Sequence, residues 1–166
     1  MKTRHLLLGA ALVAVAFAQP LTAATATAPL TVNAAVAARA SLTVSSATIT
    51  FPDADPVATP SIAATEGPLS ITARGRTTAA GNITLTLLAA GDLASGADTI
   101  AISNVTWTAS GTGYVAGTMN RTTAQSVGSW TGSGSYAGTM TFALANSWTY
   151  RTGNYTASAT YTLTAP

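Results

Sequence analysis

The sequence predicts an all-β protein, an antiparallel sandwich of about eight or nine strands behind an N-terminal signal peptide. Three features carry this expectation. Apolar residues alternate with threonine and serine at period two through most of the chain. Clusters of glycine, proline, asparagine and aspartate interrupt the alternation at spacings of roughly 10 to 15 residues. Nothing after the leader carries a helical stripe, and the best candidate is a short turn around Ala89 to Ala97.

The leader is read from its layout. Lys2 and Arg4 precede an apolar run from Leu6 to Ala18, and small residues with Pro20 follow. A charged start, a short apolar stretch and small residues at the exit are the parts of a secretory signal peptide. The run is shorter than the roughly 20 residues that cross a bilayer. Cleavage fits after Ala18 or after Ala23, so the expected organisation is a signal peptide over 1–23 and a single domain over 24–166. No second run of membrane-spanning length follows, and no direct membrane span is expected.

In the mature chain the alternating stripes place side chains on opposite faces of a sheet. Leu30, Val32, Ala34, Val36 and Ala38 form the first. Leu69, Ile71 and Ala73 form another, as do Ile83, Leu85 and Leu87, and Met140, Phe142 and Leu144. The last runs through Tyr155, Ala157, Ala159, Tyr161 and Leu163. Two segments change phase midway. Leu42 and Val44 are even whereas Ala47, Ile49 and Phe51 are odd; Ile100 and Ile102 are even whereas Val105 and Trp107 are odd. A one-residue slip turns every later side chain to the other face, so each shift predicts a bulge or a crossing between sheets. Turn chemistry separates the stripes at Pro52–Pro56, Ala80–Asn82, Ser110–Gly113, Thr131–Gly134 and Thr152–Asn154.

Charge excludes several functions. The net charge is +2 and the pI about 9.3, but Lys2 and Arg4 account for the excess. Beyond the leader, five arginines (Arg39, Arg74, Arg76, Arg121, Arg151) face five acids (Asp53, Asp55, Glu66, Asp92, Asp98), with no lysine, histidine or cysteine. No basic groove for nucleic acid is expected, no cysteine–histidine metal site, and no serine–histidine or serine–lysine nucleophile. The acids sit beside turn residues, where capping and turn hydrogen bonds are their expected role, with no arginine partner in the strands around them. No catalytic residue and no cofactor is expected.

Both ends carry a resemblance. The stretch from Thr31 through Val32, Ala34, Val36, Ser41, Leu42 and Val44, then Ile49-Thr50-Phe51 and Asp53-Ala54-Asp55-Pro56, resembles the first strands of secreted spore-coat-U-type pilin domains of the chaperone–usher group. Ser41 stands where that family has a cysteine, and Pro52 where it has a glycine. The run Gly153-Asn154-Tyr155-Thr156-Ala157 through Tyr161-Thr162-Leu163 is similar to that family's last strand. It is similar as well to the terminal motif of WxL cell-wall-binding domains, with Tyr161 in place of the tryptophan. The resemblance implies an immunoglobulin-like extracellular module, a filament subunit in the pilin case.

Two candidate sites follow. Trp107, Tyr155 and Tyr161 lie on apolar faces and are expected in the core, whereas Trp130, Trp148, Tyr150 and Arg151 have polar or glycine neighbours. Exposed rings of that kind stack on sugars or anchor protein interfaces; the alternative is a tryptophan lid over one end of the sandwich. The Leu30, Val32, Ala34, Val36 stripe is either the domain's own first strand, the expected reading, or a strand donated to a neighbour's sheet edge. Asp53 and Asp55 form an Asp-x-Asp that could offer oxygens to calcium, although an Asx turn explains them as well. The expected function is a secreted structural or adhesive module, extracellular or at the cell surface (periplasmic if retained), with itself or other surface proteins as partners. A carbohydrate-binding module for wall or extracellular polysaccharide is the alternative.

Overall fold

The alternating stripes fold as two antiparallel sheets face to face. The computed structural model describes residues 23–166, so the expected leader up to residue 22 lies outside the described residues. Residues 35–166 form one compact unit, the sandwich, and residues 23–34 belong to a separate one. The strands are β1 (Arg39–Val44), β2 (Ser61–Ala63), β3 (Leu69–Arg76), β4 (Asn82–Ala89), β5 (Leu93–Ser95), β6 (Asp98–Ile100), β7 (Val105–Ser110), β8 (Gly117–Thr118), β9 (Gln125–Thr131), β10 (Gly134–Ala145) and β11 (Ala159–Thr164). One sheet runs β1-β3-β10-β7-β8, with β2 also on β10; the other runs β11-β4-β9, and β5-β6 is a separate hairpin. No helix among the described residues is long and apolar enough to cross a membrane.

The inward faces are those the period predicts. Leu69, Ile71 and Ala73 of β3, Met140, Phe142 and Leu144 of β10, and Ile83, Leu85 and Leu87 of β4 are all buried. Opposing inner faces interdigitate into one core, while threonine and serine stay on the wet side. The predicted phase shift after Ile102 is resolved by a 3-10 turn over Ile102–Asn104, which lets both Ile102 and Val105 point inward. Over Ala89 to Ala97, where a short turn is expected, β4 ends at Ala89, the chain bends at residues 90 and 91, and the β5-β6 hairpin starts at Leu93, with Gly96 at φ 60° in its reversal.

The expected first strand over Leu30–Ala38 is absent from both sheets. β1 starts at Arg39, which pairs with Arg76, the last residue of β3. Among the described residues, none before Arg39 pairs in either sheet. Leu30, Val32 and Val36 are 87%, 81% and 70% exposed.

The edge of the sandwich at β7 and β9 is closed. The chain after β7 first extends β9, with Ser129 N–H donating to Gly113 O (3.0 Å) and Val115 N–H to Val127 O (2.9 Å). It then crosses to the other sheet, where β8 pairs with β7. An aromatic cluster sits under this crossing. Trp130 stacks on Tyr136 (centroids 4.8 Å, 9° between planes) and meets Tyr114 edge-on at 4.9 Å. Its Nε1–H donates to Thr112 O at 2.7 Å, and the Tyr114 hydroxyl donates to Tyr136 O (2.9 Å) and Ile71 O (3.2 Å). Trp130 is therefore core, only 6% exposed, and not the surface ring its polar neighbours suggest. Two local features hid it. A bulge shifts the β4–β9 register at Leu85/Thr86, and the inward position before Trp130 is Gly128, with no side chain to mark the face.

Gly128 is required because the Trp130 ring lies over it. A Cβ there would fall 2.4 Å from the ring. Gly128→Ala is expected to lower stability by about 1–3 kcal/mol through overpacking, read as a reduced urea midpoint. Gly91→Ala, whose Cβ meets no atom within 4 Å, is the control and leaves the midpoint near its original value.

Candidate functional site: an open groove on one edge

The opposite edge, between β1 and β11, is not hydrogen-bonded together. The two strands approach each other, but the segments adjoining them diverge. Residues 46–56 form one wall, residues 146–161 the other, and between them lies a cleft of about 1370 Å³. Its floor is the core itself, with Leu69, Leu87, Ile102, Val105, Phe142 and Leu144 lining it. Half-buried Ile49, Phe51, Tyr150, Tyr155 and Tyr161 line the sides.

Each wall is held from behind. Thr50 gives its N–H to Glu66 (2.7 Å) and its hydroxyl to the same carboxylate (2.8 Å), and its carbonyl accepts from Thr65 N–H (2.9 Å). These hydrogen bonds hold the Glu66 carboxyl below its usual pKa range. On the other wall, Thr156 exchanges two 3.0 Å hydrogen bonds with Ala94 of β5, and Ser158 O accepts from Ala90 N–H. Arg151 pairs with Asp98 of β6 at 3.5 Å. The hairpin thus clasps this wall from outside.

Successive residues of an extended chain aim their N–H and C=O groups to alternate sides. With Thr50 and Thr156 bonded outward, Ile49 and Phe51 on one wall and Tyr155 and Ala157 on the other direct theirs toward the cleft. None of these four residues makes a backbone hydrogen bond among the described residues. The groove therefore combines an apolar floor with an unpaired backbone edge on both sides.

The sequence-predicted site residues are divided by the fold. Trp148, Tyr150 and Arg151 lie together on the lip of the groove, while Trp130 is in the closed edge. Trp148 is 72% exposed on a turn in which Tyr150 N–H donates to Ser147 O at 3.3 Å. Tyr150 gives its hydroxyl to Ala145 O (2.9 Å), and burial raises its pKa. Trp107 is buried as expected, whereas Tyr155 and Tyr161 are half-buried.

Four of the five acids, Asp55, Glu66, Asp92 and Asp98, are engaged in hydrogen bonds or ion pairs among the described residues. Asp55 accepts Val57 N–H at 2.8 Å, an Asx turn, and Asp92 accepts Ile102 N–H at 3.0 Å. Contrary to the expectation that they lack cationic partners, Asp92 also pairs with Arg121 (3.4 Å) and Asp98 with Arg151. The arginines lie in distant turns, so only folding brings these charges together. Asp53 and Asp55 sit on the rim of the groove, and no group of three or more metal-binding side chains occurs among the described residues. The groove was legible only as the phase shift between Val44 and Ala47. That shift marks where the chain leaves β1, but carries no sign that the opposite wall parts from it.

The chain matches no family model, no curated protein and no solved structure at a significant level.

Tyr161 gives the groove a pH signature. Its hydroxyl lies against Met140 Sδ at 3.5 Å, and burial pushes its pKa up to about 12. An unfolded tyrosine ionises near 10, so the folded state resists a deprotonation that the unfolded state allows. Tyr161's contribution is complete below about pH 10 and is lost as pH rises toward 12. Tyr161→Phe is expected to make the stability–pH curve shallower over that window, measured by urea unfolding between pH 9 and 12.

Proposed function

We propose that this is a secreted, non-catalytic structural module of the cell surface that self-assembles, each copy lending its Leu30–Ala38 stripe to the groove of the next. The carrying observation is the groove whose two walls both leave backbone groups unpaired above an apolar floor. Buried or half-buried edges of this kind are satisfied by an added strand, with main-chain hydrogen bonds giving affinity and alternate side chains filling pockets. The chain carries a segment suited to it. Residues 30–38 alternate apolar and small side chains, belong to neither sheet, and expose Leu30, Val32 and Val36. Fully extended, these residues reach about 30 Å. The neutral balance of arginines and acids beyond the leader removes long-range repulsion between copies. The termini's resemblance to pilin domains agrees with this reading. Absence of histidine, cysteine and lysine from residues 24–166, together with Asp55 held in a turn and Asp92 and Asp98 in ion pairs, supports the non-catalytic part.

A second reading rests on Trp148. An indole 72% exposed on a hydrogen-bonded turn, beside Arg151, suits stacking on a sugar ring. Tryptophan emission titrated with cell-wall polysaccharide tests it. A response lost in Trp148→Ala supports glycan binding, and a flat titration removes it.

For the assembly reading, size-exclusion chromatography of the mature chain is expected to give concentration-dependent oligomers. Deleting residues 24–38 is expected to leave a folded monomer that binds a synthetic peptide of residues 29–39. A parent that stays monomeric at every concentration, with no peptide bound by the truncated form, overturns it.

A further inference from the structure

We propose that Asn146 is the end stop of the groove, a positioning residue that fixes the register of the strand entering it; this rests on the assembly reading above. The groove narrows at one end where β1 and β11 approach. At the other end its walls come within reach of a single side chain. The Asn146 amide donates one hydrogen to Ala54 O (2.9 Å) and the other to Thr59 O (3.1 Å), both on the loop that ends the first wall. Its Oδ1 accepts Ser147 N–H at 3.0 Å, at the start of the turn that leads into the second wall. Its own N–H donates to Pro60 O at 2.9 Å, continuing the β2–β10 pairing.

Both amide hydrogens are thus used, and the side chain ties the end of one wall to the beginning of the other. Asn146, Ser147 and Trp148 line the cleft at this end. An extended segment sliding along the groove meets the tied loop there and can go no further. Register matters in such a slot because a shift of one residue turns every apolar side chain outward, and a shift of two empties one pocket. Unpaired walls alone do not distinguish shifts of two; a fixed end does. The residue type follows from the task. Aspartate has the same shape but no donor, and would set a negative charge against two carbonyl oxygens.

The chain has no cysteine, so engineered pairs read register cleanly. A disulfide requires Cα atoms within about 7 Å, which excludes positions two residues out of register. Ala35→Cys in the full mature chain is combined in turn with Thr156→Cys, Ser158→Cys or Thr160→Cys, assembled, and oxidised. With Asn146 intact, intermolecular disulfides are expected in one combination only. Asn146→Asp is expected to raise cross-linking in the adjacent combination about tenfold, as expected for losing roughly one net hydrogen bond of register preference. Asn146→Gln keeps both donors on a longer arm and is expected to restore a single dominant combination. If Asn146→Asp does not fold, as judged by near-ultraviolet circular dichroism, Asn146→Ser, which also lacks the paired donors, takes its place. A single unchanged combination in the donor-lacking variant overturns the end stop, as does a Gln variant that spreads as widely as the Asp one. No disulfide in any combination with Asn146 intact instead overturns the assembly reading on which this rests.

Discussion

Satisfying backbone hydrogen bonds at the two edges of the sandwich governs the rest of this structure. An antiparallel sandwich always has edges, and unpaired N–H and C=O groups beside an apolar core are expensive. At the β7/β9 edge the chain meets this demand itself. Residues 113–118 pair first with β9 and then with β7, sealing one sheet to the other. At the β1/β11 edge no such pairing occurs among the described residues, and there the groove lies.

The closed edge is the one fastened by packed aromatic rings. Trp130, Tyr136 and Tyr114 pack at centroid distances below 5 Å, and each polar tip finds a carbonyl: Thr112, Gly132, Tyr136 and Ile71 accept from them. Glycines make room for the rings. Trp107 needs Gly117, and Trp130 needs Gly113 and Gly128, since a Cβ at any of these would fall within 2.4 Å of an indole. Trp107, Tyr114, Trp130 and Tyr136 thus fasten one side of the fold, whereas Trp148, Tyr150, Tyr155 and Tyr161 line the other. The open side is held by lighter devices: one carboxylate behind Thr50, one hairpin behind Thr156 and one amide at Asn146. Exposed ion pairs such as Arg151–Asp98 add little energy by themselves. Their place is to locate the wall while its inner side stays free.

Strand identity was legible because period two is a local signal. Ile83-Leu85-Leu87 and Met140-Phe142-Leu144 announce their buried faces without reference to any other residue. The signal failed where the chain departs from regular alternation. Gly128 and the bulge concealed Trp130; of the bulge or sheet crossing expected after Ile102, the chain takes the crossing, through a 3-10 turn from the β5-β6 hairpin to β7; and the hairpin at 93–100 was too short to show a period. Leu30–Ala38 shows the opposite error. Its alternation is as clear as any strand's, yet alternation states only that a segment suits a sheet, not that a partner strand remains beside it.

What the sequence determined by itself was composition and period: strands throughout the described residues, five arginines against five acids over residues 24–166, and the inward residue of nearly every long strand. Tertiary structure decided which edges are paired. Hydrogen bonding between strands joins residues far apart in the chain, as Gly113 joins Ser129 and Asn146 joins Ala54. No short-range pattern encodes whether such a partner is present. The sequence therefore supplied both an apolar stripe and the walls of a groove, and only the fold decided that, among the described residues, neither sheet takes up the stripe and the groove walls do not pair.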